Sequence, residues 1–238
     1  MITKAFACMY FQMKPYKMIK TKVLLILTAV MFVFMTSFSF KQPKILIIGD
    51  SISLGYTPFV KQHLADKAIV SHNQGNAQHT GKGLANIKDW VTKDDYDIIQ
   101  FNWGLWDLCY RDLNSKNQGR RDKINGTITY SVEDYAANLD SIVSTIKAQT
   151  KVKLIFVTTT YVPENEAGRF EEDVIKYNNA AKKVMEKHAV EVNDIYKKSI
   201  PIHNKYKKKT DDVHYTKEGY EALSKLIIDF LETEIKKY

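Results

Sequence analysis

The sequence predicts a three-layer α/β/α sandwich around a five-stranded parallel sheet, on three observations. Short apolar runs alternate with amphipathic stretches, as strands alternate with crossover helices. The apolar runs are rich in β-branched side chains, as strands buried on both faces are. The polar clusters fall where those runs end, and open parallel sheets bind ligands at the carboxyl ends of their strands.

In order along the chain, Ile45-Leu46-Ile47-Ile48, ended by Gly49, reads as a buried central strand. Thr57 to Lys67 is helical in pattern, with Pro58 tolerated near its start. Ala68 to His72 is a second strand, Gly83 to Val91 a second helix, and Ile98 to Asn102 a third strand. Ser131 to Gln149 is a long helix in which Ser131 is a plausible N-cap and Asp134, three residues on, its capping partner. Lys153 to Val157 gives a fourth strand, Glu171 to His188 a helix, and Val190 to Val192 a fifth strand. The last helix spans Lys217 to Lys237, with Ala222, Leu223, Leu226, Ile227 and Phe230 at helical spacing. Between them, Leu105 to Thr129 lacks periodicity and carries Arg111, Arg120 and Arg121. A loop of that length in a compact domain is often a lid or a binding loop.

Residues 1–40 stand apart from the domain at 41–238. Lys14, Lys17, Lys20 and Lys22 precede an apolar run from Val23 to Met35, followed by Thr36-Ser37-Phe38-Ser39. A basic start, an apolar middle and small residues near a cut are the order of a secretory signal, so a cleaved leader and a periplasmic or extracellular protein are expected. Met18 would give that leader a more usual length. Left uncleaved, the run to Phe40 would approach the roughly 20 apolar residues of a membrane helix and anchor the domain. No cysteine near the cut suggests a lipid anchor.

The formal charge of +8 invites a nucleic-acid partner, but five lysines lie in the leader, which holds no acid, and the remaining surplus of three is that of a solvated surface. Cys8 belongs to the leader and Cys109 stands alone, so the domain has no internal disulfide, and Cys109 reads as a buried or semi-buried bystander. His72 and His79 lack metal-ligand spacing and read as loop or supporting polar groups, so neither a metal nor an organic cofactor is expected.

Two clusters can carry chemistry. Gly49-Asp50-Ser51-Ile52-Ser53 directly follows the first strand, where a hydroxyl can be exposed and helix N-terminal amides can stabilise negative charge. Asp211-Asp212-Val213-His214-Tyr215-Thr216 precedes the last helix. Asp211, three residues ahead of His214, can fix the imidazole tautomer and leave Nε2 free as a base. Each pattern alone is commonplace.

Together, each beside its expected element, the two clusters resemble the first and last blocks of the SGNH/GDSL hydrolases. Asn73-Gln74-Gly75 resembles the block whose glycine amide joins that family's oxyanion hole, and Asn193-Asp194 and Val213 to Tyr220 are also similar. The resemblance spans the whole chain after the leader. It implies a flavodoxin-like SGNH fold and a cofactor-free esterase with catalytic Ser51, His214 and Asp211. One block departs from the family: Gly104-Leu105-Trp106-Asp107 stands where Gly-x-Asn-Asp is usual, as in a branch where this block is rewritten. Asn102, on the same strand face as Gly104, is then the nearest side-chain donor beside the Ser51 and Gly75 amides. The α/β-hydrolases share the residue order, but their serine sits in a Gly-x-Ser-x-Gly elbow, which this sequence lacks.

Trp103 and Trp106 are read either as core or as a sugar-stacking wall beside Ser51, and Arg169 as an exposed structural residue or a contact for an anionic substrate. The expected substrates are acylated small molecules or polysaccharides, first among them O-acetylated carbohydrate, with no nucleic acid and a membrane only if the leader stays. Lipase, thioesterase or acyltransferase activity on the same fold, or a non-catalytic glycan-binding module, are the alternatives.

Overall fold

A computed structural model describes residues 42–237; the leader, and with it the expected cleavage or anchoring, lies outside the described residues. Five parallel strands form the sheet: β1 (Lys44–Ile48), β2 (Ile69–His72), β3 (Ile98–Phe101), β6 (Lys153–Val157) and β7 (Glu191–Asn193), in the order β2-β1-β3-β6-β7. Counting sheet strands alone, that order is 2-1-3-4-5, the flavodoxin-like arrangement. The intervening β4 (Tyr110–Arg111) and β5 (Thr127–Ile128) form a separate antiparallel hairpin.

Two groups of helices cover the sheet. α1 (Ser51–His63) packs on α6 (Lys217–Ile235), which also meets α5 (Tyr196–Tyr206); α2 (Thr80–Val91) packs on α3 (Val132–Gln149), and α3 on α4 (Glu171–Lys187). β1 and β3 are the driest strands, with Ile45, Ile47, Ile48, Ile98, Ile99 and Phe101 all fully buried. Close helix packing fixes one glycine: a Cβ at Gly55 of α1 would stand 2.2 Å from the Tyr220 ring of α6.

The expected strands, and the helices except the first, appear within a few residues of their predicted bounds. Ser131 caps α3, its Oγ accepting from the Asp134 amide at 3.0 Å and donating to the Asp134 carboxylate at 2.8 Å. The first helix differs, starting at Ser51 rather than Thr57, because Asp50 is its N-cap and accepts from the Ile52 amide at 2.9 Å. α5 is absent from the sequence reading, and the 105–129 stretch holds the short hairpin and a 3-10 turn at Gln118–Arg120. Among the described residues no helix is long and apolar enough to cross a membrane.

Candidate active site

β1 and β3 are neighbours whose chain connections leave toward opposite sides of the sheet, and a crevice opens at such a switch point. Ser51 follows β1, and the Gly104-Leu105-Trp106 turn follows β3. Both, with Asp50, Asn76, Arg111, Arg121, Arg169 and the 212–214 segment, line one cleft of about 370 Å³.

Ser51 is the first residue of α1, so its amide has no intrahelical acceptor and points from the positive end of the helix dipole. Asp50 beneath it is buried; burial pushes its carboxyl above the usual carboxylate range, and the Ile52 amide opposes that shift. The Asn73 side chain holds the same turn from β2, accepting from the Gly49 amide at 3.0 Å.

The Ser51 hydroxyl lies 2.9 Å from His214 Nε2, although 163 positions separate the two residues. His214 Nδ1 lies 2.5 Å from Asp212 Oδ1. A carboxylate accepts, so Nδ1 carries the proton and Nε2 is left to accept from Ser51. Burial raises the Asp212 pKa, but the hydrogen bond and the charge of His214 outweigh it and hold this carboxyl below the usual range. The expected Asp211 is therefore corrected to Asp212. Asp212 Oδ1 also accepts from the His214 amide at 3.1 Å, a two-residue Asx-type turn that lays the carboxylate beside the ring, whereas Asp211 is exposed.

The loop bearing this pair is held from both sides. Lys207 and Tyr215 form an antiparallel bridge, and His203 of α5 donates from Nε2 to the Asp212 carbonyl at 2.8 Å. Burial lowers the His203 pKa and keeps it neutral for that role.

Three expected site residues lie elsewhere. The Asn102 side-chain amide donates to the Val157 carbonyl at 2.7 Å, because β3 and β6 are neighbours and the side chain turns toward β6 rather than toward Ser51. Gly75 is exposed and does not line the cleft; its carbonyl accepts from Asn73, and the next residue, Asn76, lines the cleft instead. Trp103 is fully buried, its indole nitrogen directed at the Ala77 carbonyl at 3.4 Å and its ring 6.1 Å from that of Phe101, so it is core. Trp106 is half-buried in the cleft wall, with the Arg111 guanidinium 4.7 Å from its ring centroid.

Asn76 is the residue that the sequence reading missed. Its Oδ1 accepts from the Gln78 amide at 2.8 Å, which leaves its two N–H groups as donors at the cleft. Gly104 has φ of +149°, and a Cβ there would stand 2.1 Å from the Thr159 hydroxyl. Only glycine fits that turn, and the Trp106 loop depends on it.

Arg169 is buried rather than exposed. Its Nε donates to the Leu105 carbonyl at 2.5 Å and its Nη1 to Glu166 at 2.8 Å. Glu166 is fully buried and also pairs with Arg121, while its other oxygen accepts from the Gly168 amide at 2.7 Å. This triad ties the 105–129 stretch to the segment after β6. Asp107 is fully buried too and accepts from both the amide and the hydroxyl of Thr80, at 2.9 and 2.5 Å, fixing the start of α2. Among the described residues there is no cluster of potential metal ligands, and Cys109 is buried.

The family model described as the GDSL-like lipase/acylhydrolase family matches residues 47–222. No curated protein sequence matches the chain. Among solved structures, a lipase/acylhydrolase from Enterococcus faecalis is 21% identical, with 81% of this chain and 97% of that one covered at a TM-score of 0.64. An acetyl xylan esterase is 15% identical, with 79% and 99% covered at 0.63. A catalytic mutant of an acetylxylan esterase from Geobacillus stearothermophilus is 18% identical, with 79% and 93% covered at 0.59. At these identities the likeness is one of fold.

Proposed function

Because the chain belongs to the GDSL-like lipase/acylhydrolase family and is thus an ester-hydrolysing enzyme, we propose that Ser51 is its nucleophile, His214 its base and Asp212 the orienting acid. The observation that carries this is the continuous chain from the Ser51 hydroxyl through His214 to Asp212, with contacts of 2.9 and 2.5 Å. Ser51 Oγ attacks the ester carbonyl carbon while its proton passes to His214 Nε2. The imidazolium, stabilised by Asp212, then protonates the departing alcohol as the acyl-enzyme forms. Water, deprotonated by the same nitrogen, attacks the acyl carbon and releases the acid and Ser51.

The developing oxyanion needs donors already in place. The Ser51 amide and the side-chain amide of Asn76 are the groups we assign, with the Trp106 indole N–H on the same wall. Among the described residues that indole makes no hydrogen bond, which suits a donor facing substrate.

For the substrate we favour small O-acyl groups, acetyl first, on carbohydrate. Support comes from a cleft of modest volume in which nine of the thirteen lining residues are polar or charged, and from the acetylxylan esterases of the same fold. The apolar side chains of the wall are Leu105, Trp106 and Val213, a short stretch for a long acyl chain. Export through the basic and apolar leader completes the reading, and sequencing the mature N-terminus tests it.

The test of the nucleophile is labelling by a fluorophosphonate probe together with hydrolysis of a short aryl acetate. Both are expected to vanish in Ser51→Ala; aryl acetate hydrolysis that survives the substitution excludes the assignment. Faster release of long acyl chains than of acetate would count against the carbohydrate reading.

A further inference from the structure

The cleft beside Ser51 carries more positive charge than ester hydrolysis requires. Arg111, Arg121 and Arg169 all line it. Arg121 and Arg169 share a single carboxylate, Glu166, whose remaining oxygen is occupied by the Gly168 amide. Arg111 has no carboxylate partner among the described residues; the only hydrogen bond of its guanidinium there is to the Gly119 carbonyl, and the group lies on the Trp106 ring. Of the carboxylates lining the cleft, Asp212 is committed to His214, and Asp50 is buried with one oxygen on the Ile52 amide. The three guanidinium groups thus have one ion-paired carboxylate among them, Glu166, and the Asp212 carboxylate that serves His214 is the other negative charge at the cleft.

A half-buried guanidinium without a carboxylate has given up hydration without a full return. Burial, and beside it the charges of Arg169 and Arg121, disfavour the cationic form of Arg111, outweighing the opposing charge of Glu166. An anionic ligand would satisfy the unused edge of this group, and a planar fork is suited to a carboxylate. The position is held rather than adventitious: Arg111 belongs to the β4–β5 hairpin, bridges to Arg121, and rests on a ring that itself lines the cleft.

We propose that the ester substrate carries an acidic group, the carboxylate of an O-acylated sugar acid, and that Arg111 with Arg121 reads it beside the scissile ester. The proposal rests on Ser51 being the nucleophile of an esterase. It makes Arg111 a residue of substrate choice and Trp106 the platform that orients it. Sulfate on the sugar offers related oxyanion chemistry, and the same assay separates it.

The experiment compares kcat/KM for acetate release from three mono-O-acetylated methyl pyranosides that differ only at C6: the glucoside, the glucuronoside and the glucoside 6-sulfate. Preference for the glucuronoside over the glucoside by about 10- to 100-fold is expected, the range of one charge-assisted contact. It should shrink in high salt, as an exposed electrostatic term does, and Arg111→Gln should collapse the ratio toward one. A sulfate preferred over the carboxylate overturns the sugar-acid assignment. Equal turnover of glucoside and glucuronoside, or a preference that survives Arg111→Gln, overturns the acidic-group proposal itself. Calorimetric binding of methyl glucuronoside to wild-type and Ser51→Ala protein keeps the two readings distinguishable. Arg111-dependent binding without hydrolysis or probe labelling supports the anion site and sinks the nucleophile; hydrolysis without any acid preference sinks the anion site alone.

Discussion

Adjacent aspartates precede His214, and one backbone step decides which serves it. Asp212 touches both the ring nitrogen and the amide of His214, while Asp211 is exposed on the same turn. Asp212→Asn removes the acceptor that fixes the Nδ1–H tautomer, and losses of about 10⁴ in kcat accompany that change in serine proteases. A fall of about 10³- to 10⁴-fold in kcat on an aryl acetate is expected for Asp212→Asn, against less than about twofold for Asp211→Ala; steady-state kinetics on the two variants decide between the neighbours. Ser51 and His214 were legible because each borders a periodic element, a buried strand before one and an amphipathic helix after the other. The acid was not, since Asp-x-x-His spacing carries no information about which carboxylate an Asx turn will bring to the ring. Asn102 is misplaced for a similar reason: a strand's alternation gives a side chain's face, but not whether a neighbouring carbonyl, here that of Val157, already claims it.

At the scale of elements, the sheet was readable and the parts that adjust the site were not. The five strands and the large helices bury apolar stripes, and such stripes leave a period in the sequence. α5 buries Ser199 and His203 and contains Pro201, so its inward face is polar and its pattern silent. The β4–β5 hairpin has strands of two residues each, too short for any alternation to register. Yet both elements reach the site, α5 through His203 and the hairpin through Arg111. His203 is a positioning residue: it donates to the Asp212 carbonyl at 2.8 Å and packs its ring 5.3 Å from Tyr215 and 5.4 Å from Tyr161. His203→Phe keeps the ring contacts and deletes the donor. With one hydrogen bond worth about 1 kcal/mol, kcat should fall roughly 5- to 10-fold with KM nearly unchanged. His203→Gln, which retains an N–H donor, should recover part of the loss. An unchanged kcat in the Phe variant, or a rise confined to KM, would contradict the role.

Across the whole molecule, a buried acid makes stability depend on pH in a direction opposite to that of surface ion pairs. Burial drives Asp107 up to about 7, against the opposing hydrogen bonds from the side chain and amide of Thr80. One carboxylate oxygen takes both Thr80 contacts, and the other has no hydrogen-bond partner among the described residues. Between about pH 4 and pH 7 the folded state holds this proton while the unfolded chain has released it, so Asp107 withdraws stability as pH rises through that window. The window is about 3 pH units wide and worth at most about 4 kcal/mol. Asp50, also raised by burial, acts in the same direction. The buried imidazole of His203 and the half-buried ones of His72 and His79, each lowered by burial, oppose it, since they are harder to protonate folded than unfolded. The bare pH profile therefore mixes two signs, and a substitution isolates one of them. Asp107→Asn retains an oxygen for Thr80 but cannot titrate. Chemical denaturation of wild type and Asp107→Asn from pH 4.5 to pH 7.5 should show the wild type losing stability relative to the variant as pH rises, most steeply between about pH 5 and pH 6 and levelling off above about pH 7. A difference that stays flat across that range would mean that Asp107 is ionised throughout, and that the joint between β3 and α2 tolerates a buried charge.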